Sequence, residues 1–296
     1  MEYGKLISSA FRIALENRRL WPFGIFAGTG GAGFNFSYSG DSGSGDPGTG
    51  SVDTAVIVAI VLVVLALVLF AAVMSVISQG ALTEGVVAAS HGERRGFRRS
   101  LRAGLAVFWR ALGLYLLTAL LALAVVLAVA VVAGGAVLAT FAATETVGVR
   151  VFVAVLAGLA ALAALVVLLL PLALIVQHAV RELVLGGARP VAALRGGWSM
   201  FRANLGPSIL VFLIQQGLVL VGYTAIAIAS VVLTLPAIVV LVATSGGAAG
   251  IVVAVVTGLV VIPAALAAAG AVGTFGHGLW TLGYLRMRSR ETRSPA

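Results

Sequence analysis

Long apolar runs separated by short polar ones organise this chain. Ala55 to Met74 is twenty apolar residues without a break, and Val151 to Val176 is twenty-six. A helix needs about 20 such residues to cross roughly 30 Å of hydrocarbon. Five strong spans follow the pattern, near 54–78, 109–142, 150–177, 208–243 and 249–280. Spans beyond about 25 residues tilt, kink or extend out of the bilayer. Pro171, Pro236 and Pro263 lie inside the last three and predict kinks there. The ten-residue alternation of a β-barrel is absent. A weaker run, "LWPFGIFAGTGGAGF" at 20–34, is interrupted by Pro22 and five glycines, and 35–52 reads as a flexible, glycine-rich loop.

The short polar segments have their own periodicity. Over 3–20, Lys5, Ser9, Arg12, Glu16 and Arg19 share one helical face, and Tyr3, Ile7, Phe11 and Ala14 the other. Over 191–205, Val191, Leu194, Trp198, Phe201 and Leu205 form an apolar face beside Arg195, Ser199 and Arg202. Such helices lie in the membrane interface, with rings at headgroup depth and guanidinium groups toward phosphate. Asn204 is placed to cap the helix that follows. The glycine pairs Gly134/Gly135 and Gly246/Gly247 suit turns or close packing.

Charge turns this pattern into a topology. The chain is 61% hydrophobic and 10% charged, with a net charge of +9, far from the balance of a soluble domain. Of its nineteen Lys and Arg residues, all but Arg150 fall in four segments: 5–19, 94–110, 181–202 and 286–293. These alternate with loops holding Asp41, Asp46, Asp53 and Glu145. By the positive-inside rule, both termini are cytoplasmic. Residues 1–19 then lie inside and 35–52 outside, so 20–34 cross, giving about six crossings. A five-crossing alternative makes 20–34 re-entrant. The arginine-rich, Ala-, Gly- and Val-inflated composition reads as a GC-rich bacterial genome and a multi-pass inner-membrane protein. The absence of cysteine removes disulfides and thiolate metal sites.

"LRAGLAVFWRALG" at 101–113 aligns without gaps to "LRGGWSMFRANLG" at 194–206, sharing Leu, Arg, Gly, Phe, Leu and Gly. A fainter copy surrounds "SSAFRIALENRRL", with Phe11 at the place of Trp198 and Asn17 at that of Asn204. "QGALTEGV" from Gln79 and "QHAVRELV" from Gln177 precede two of the copies, and "AGAVGTFG" from Ala269 is a degraded third. The chain thus reads as one integral-membrane domain, 1–296, of three tandem units near 1–93, 94–187 and 188–286. Each is an amphipathic interfacial helix followed by two membrane segments, and 287–296 is a cytoplasmic tail. The fold class is an all-α transmembrane helical bundle.

Residues 194–206 with Arg181 and Glu182, and their copies at 101–113 and 79–86, resemble the integral-membrane domain attached to some bacterial glycerophosphodiester phosphodiesterases, and related families of unknown function. In those enzymes catalysis belongs to a separate soluble barrel, so the resemblance implies no catalytic residue here.

The chemistry available is sparse. The centres of the spans carry no Asp, Lys or Arg, which weakens ion-coupled transport. The intramembrane polar candidates are Gln79, Gln177, His178, Gln215, Gln216 and His277. Adjacent amides such as Gln215 and Gln216 usually join helices. His178 and His277 share a depth, but two imidazoles without a carboxylate or thiolate leave a zinc shell incomplete. No hydrolase, zincin, P-loop or calcium-loop spacing occurs. Catalytic, cofactor and metal residues are therefore none. The lipid-interface candidates are Arg12, Arg98, Arg99, Arg102, Trp109, Arg195, Trp198 and Arg202. The expected function is a non-enzymatic scaffold or accessory protein, without nucleic acid, engaging anionic headgroups or a protein partner. The alternative is transport or lipid handling through kinked helices and a Gln/His-lined cleft.

Overall fold

A computed structural model describes residues 2–29, 54–93 and 96–291. All the secondary structure among them is helical: α1 (Tyr3–Glu16), a 3-10 turn (Arg18–Leu20), α2 (Trp21–Thr29), α3 (Thr54–Ser90), α4 (Phe97–Ala143), α5 (Val147–Gly186), α6 (Pro190–Ala203), α7 (Leu205–Ala243) and α8 (Ala248–Glu291). The 35–52 loop and part of the 20–34 run lie outside the described residues. Five helices, α3, α4, α5, α7 and α8, are long and apolar enough to cross a membrane.

These helices are longer than the apolar runs that predict them. α4 has 47 residues, about 70 Å at ~1.5 Å per residue. The extra length lies mostly at the basic ends. Hydropathy fades near residues 78, 109 and 177, yet the helices continue through those points, because there their faces are packed. From Val56 to Leu69, every residue of α3 is exposed, whereas Ile77, Ala81, Leu82 and Val86 are buried. α5 behaves alike, with its buried residues confined to Leu174–Val184. Apolar side chains gain nothing by leaving lipid for one another, so the bare stretches suit hydrocarbon. Pro171, Pro236 and Pro263 sit inside continuous helices. Gly134 and Gly135 lie within α4 with no neighbour within 4 Å of a Cβ there, so they make neither a turn nor a close approach. Gly246, at φ +76°, does form the α7–α8 turn.

The chain divides into two compact units. The larger holds 2–106 and 214–282; the smaller holds 107–213 and the chain from 283.

In the larger unit, α2 packs on α3 and α8 through small residues and rings. Leu20, Phe23, Ala27, Ala81 and Leu82 form one core, and Phe23 stacks on Phe97 at 4.8 Å. A Cβ on Gly24 would strike the carbonyl of Gly270, and one on Gly273 the carbonyl of Gly24. On α4, a Cβ on Gly104 would meet the Ile77 carbonyl of α3.

The smaller unit repeats that last approach. A Cβ on Gly197 of α6 would lie 2.6 Å from the Ile175 carbonyl of α5. Ile77 stands two residues before Gln79, and Ile175 two before Gln177. Gly187, at φ +65°, ends α5, and Arg110 Nη1 donates to its carbonyl at 2.9 Å. α8 is helical to Glu291, through half of the segment expected to be a tail, and Met287 within it is fully buried.

The amphipathic helices bury only part of the apolar faces read from the sequence. α1 buries Leu6, Ala10, Ile13 and Ala14; Phe11, assigned to its apolar face, is exposed. α6 buries Ala193, Gly197, Met200 and Phe201, while Val191, Trp198 and Leu205 are exposed. Ala10, Ala193 and Gly197 turn inward, where small residues let backbones approach, with Phe201 buried beside them; Phe11 and Trp198 turn outward. Asn204 serves both of the helices it separates. Its amide donates back to the Met200 carbonyl at 3.3 Å, closing α6, while its backbone carbonyl accepts from Ser208 N at 2.9 Å in α7. Asn17 does the same to Ile13 at 3.1 Å at the end of α1.

Replacing Gly104 or Gly197 by valine forces two backbones apart. Overpacking of this kind costs about 1–3 kcal/mol, read as a lower melting temperature of the purified protein. Gly134→Ala, in open space, leaves it unchanged. Unaltered melting of both valine variants rules out the close approaches.

Candidate functional site

Two polar layers form where the long helices meet their basic ends, one in each unit. In the smaller unit, the last three turns of α5 supply Gln177, His178, Arg181 and Glu182. Helical spacing places Gln177 and Arg181 one above the other. Arg181 is fully buried, and its Nη1 donates to the Gln177 carbonyl at 2.7 Å and to the Gln177 side-chain oxygen. A buried guanidinium is costly unless its donors find acceptors, and Gln177 supplies two of them. His178, also fully buried, is hydrogen-bonded through Nε2 to Ser208 Oγ at 2.9 Å. The Tyr284 hydroxyl donates to Glu182 Oε2. Arg288 Nη1 donates to Tyr284 at 3.0 Å and meets Glu182 Oε2 at 3.4 Å. Met200, Tyr284 and Met287 close the layer with an apolar core.

The larger unit has a leaner layer. Trp280 Nε1 donates to the side-chain oxygen of Gln215. His277 Nε2 contacts the Ala27 carbonyl at 3.2 Å. Thr274 Oγ1 donates to the carbonyls of Gly270 at 2.8 Å and Leu20 at 3.3 Å. Gln79 is half-buried, and its backbone carbonyl accepts from Thr83 at 2.8 Å.

The six intramembrane candidates are divided between the two units. Gln177 and His178 belong to the smaller unit; Gln79, Gln215, Gln216 and His277 belong to the larger. The two adjacent glutamines part company, with Gln215 half-buried against Trp280 and Gln216 exposed. Each histidine has its own protein partner. The eight lipid-interface candidates share one property: Arg12, Arg98, Arg99, Arg102, Trp109, Arg195, Trp198 and Arg202 are all exposed. Trp109 is 78% exposed, and the Arg202 guanidinium lies 5.8 Å from the Trp198 ring centre. That distance is within cation–π range.

Ser208, Trp280, Tyr284 and Arg288 were not singled out from the sequence. Each is an isolated polar or aromatic residue on a long helix, without a motif to mark it. The signal available was Glu182, matched to Glu84 in the repeat, since a carboxylate at a span end needs a donor.

A family model described as a family of unknown function (DUF7544) matches residues 19–278. Nothing in this match links the chain to glycerophosphodiester phosphodiesterase domains. No curated protein and no solved structure matches.

The Gln215–Trp280 bond joins α7 to α8, and such intramembrane bonds contribute about 0.6–2 kcal/mol. Gln215→Leu should lower stability by that amount, and Gln216→Leu by less than about 0.5 kcal/mol. Both are read by thermal or denaturant unfolding in detergent. Equal effects at the two positions refute the assignment.

Proposed function

Because the chain belongs to that family of unknown function, its role has to be read from its own geometry, and we propose that it is a non-enzymatic membrane scaffold or accessory protein that engages anionic lipid at its basic face. One observation carries this reading. The eight arginine and tryptophan candidates for the interface are exposed, while His178, His277, Gln177 and Gln215 are spent on contacts inside the protein. Side chains turned outward at headgroup depth serve a surface, and polar groups bonded to one another hold helices together.

Two further readings complete the proposal. The first is six crossings with both termini cytoplasmic. Leu20 lies against Gly85 on α3, and Thr54 starts the same helix, 31 residues away and about 45 Å at ~1.5 Å per residue. The described residues Leu20 and Thr54 thus stand further apart along α3 than the ~30 Å of hydrocarbon, which supports placing them on opposite faces of a bilayer that α3 crosses. The second is the tandem unit, which the burial pattern supports in all three copies. Leu6, Ala10 and Ile13 fall at the places of Ser100, Gly104 and Val107, and of Ala193, Gly197 and Met200; all nine are buried. Asn17 and Asn204 then match in sequence and in bonding, and α2 takes the place of the start of α7.

The chain has no cysteine, so introduced ones report topology directly. With an impermeant maleimide on intact cells, Ser44→Cys should be labelled from outside. Ser199→Cys and Ser9→Cys should be labelled only after permeabilisation. Labelling of residues 9 and 44 from the same side establishes the five-crossing alternative. For function, the protein extracted with its bound lipids should carry anionic species above their share of the membrane, by mass spectrometry. A bound composition equal to the bulk refutes the lipid reading.

A further inference from the structure

The three amphipathic helices present the same outward positions with different chemistry. Aligned on the buried Ala10, Gly104 and Gly197, the outward set is Ser8, Phe11 and Leu15 in α1. In α4 it is Arg102, Leu105 and Trp109, and in α6 it is Arg195, Trp198 and Arg202. All nine are exposed. At these three positions the first set carries no charge and the second one guanidinium; elsewhere α1 exposes Lys5 and Arg12, and α4 exposes Arg98 and Arg99. The third carries two, spaced seven residues apart with an indole between them. Positions seven apart on a helix stand two turns apart on one face, about 10 Å at ~1.5 Å per residue.

α6 differs in a second way. It is a separate helix: Gly187 ends α5 before it, at φ +65°, and Asn204 ends α6, with φ −130° and ψ 43°. α5 and α7 on either side are both of membrane-spanning length, so α6 lies at the boundary they reach. Its inner face is fixed on α5 by Gly197 against the Ile175 carbonyl and by buried Ala193, Met200 and Phe201. The outer face is thus held in place before any ligand arrives. The Arg202 guanidinium rests beside the Trp198 ring at 5.8 Å, which limits its rotamers while leaving its N–H fork outward. No acidic side chain lies on α6 to neutralise it.

We propose that the outer face of α6, with Arg195, Trp198 and Arg202, is a binding site for the phosphate-bearing headgroup of an anionic phospholipid, and that it carries most of the chain's preference for such lipid. The two guanidinium groups bracket the phosphate and the Trp198 ring sits at the glycerol level, where indoles favour the interface. The proposal rests on the lipid reading above and assigns it to one of the three equivalent faces.

The experiment uses the full chain in nanodiscs of mixed phosphatidylcholine and phosphatidylglycerol, with retained lipid counted by mass spectrometry. Removing one cytoplasmic basic residue should lower the enrichment about fivefold. Arg195→Gln and Arg202→Gln should each show this, and the double variant more. Arg98→Gln with Arg99→Gln should change it little. Where the double variant is not monodisperse, the two single variants and Trp198→Leu decide the matter. If the wild type shows no enrichment, the general lipid reading fails. If it enriches phosphatidylglycerol, and the α6 variants keep that while the Arg98/Arg99 variant loses it, only this assignment fails. Displacement of the lipid by millimolar inorganic phosphate overturns it in favour of a free-anion site.

Discussion

Backbone approach, rather than side-chain burial, is the constraint on which this structure rests. In water, apolar faces drive helices together; in hydrocarbon they do not, and helices hold where small residues let the chains touch. Here the contacts are Gly104 on the Ile77 carbonyl, Gly197 on the Ile175 carbonyl, and Gly24 against Gly270 and Gly273. The first two lie toward the polar ends of α3, α4 and α5. The exposed Val56–Leu69 stretch of α3 follows from the same rule, since it has neither a glycine nor a polar residue to hold a neighbour.

The polar layers follow from those contacts. Once α5 and α6 meet at Gly197, the last turns of α5 are enclosed, and Arg181 and His178 must be satisfied inside the protein. Gln177 accepts from Arg181, and Ser208 is hydrogen-bonded to His178. In the repeat, Gly80 stands in the place of His178 and Thr83 in that of Arg181. The framework therefore does not demand a buried cation, and the smaller unit's layer is the more specialised of the two.

Much of this was legible in the sequence, for identifiable reasons. Apolar runs of spanning length have one stable outcome, so the five long helices were readable from Ala55–Met74 and its counterparts. The exposure of Arg102, Trp109, Arg195 and Trp198 was also readable, because charge and rings at a span end have few other places to go. The direction of packing was not. The apolar periodicity showed which residues share a face but not which of them pack: Ala10, Gly197 and Phe201 are buried, while Phe11 and Trp198 are exposed. Convergence was equally hidden, since Glu182 and Tyr284 are 102 residues apart and meet only by folding.

The asparagine breaks distinguish α1 and α6 from α4. α1 and α6 end at Asn17 and Asn204, so each is jointed to the segment that follows it. In the middle copy the matching position is Ala111, and α4 runs unbroken from Phe97 to Ala143. There is no joint in that rod. A bilayer that thins or thickens changes the tilt of its spanning helices. A jointed helix can stay flat on the surface while its neighbour leans. Arg102 and Trp109, fixed on α4, must swing with it. α4 thus carries Arg102 and Trp109 on one unbroken helix, whereas α1 and α6 each end before the next helix begins.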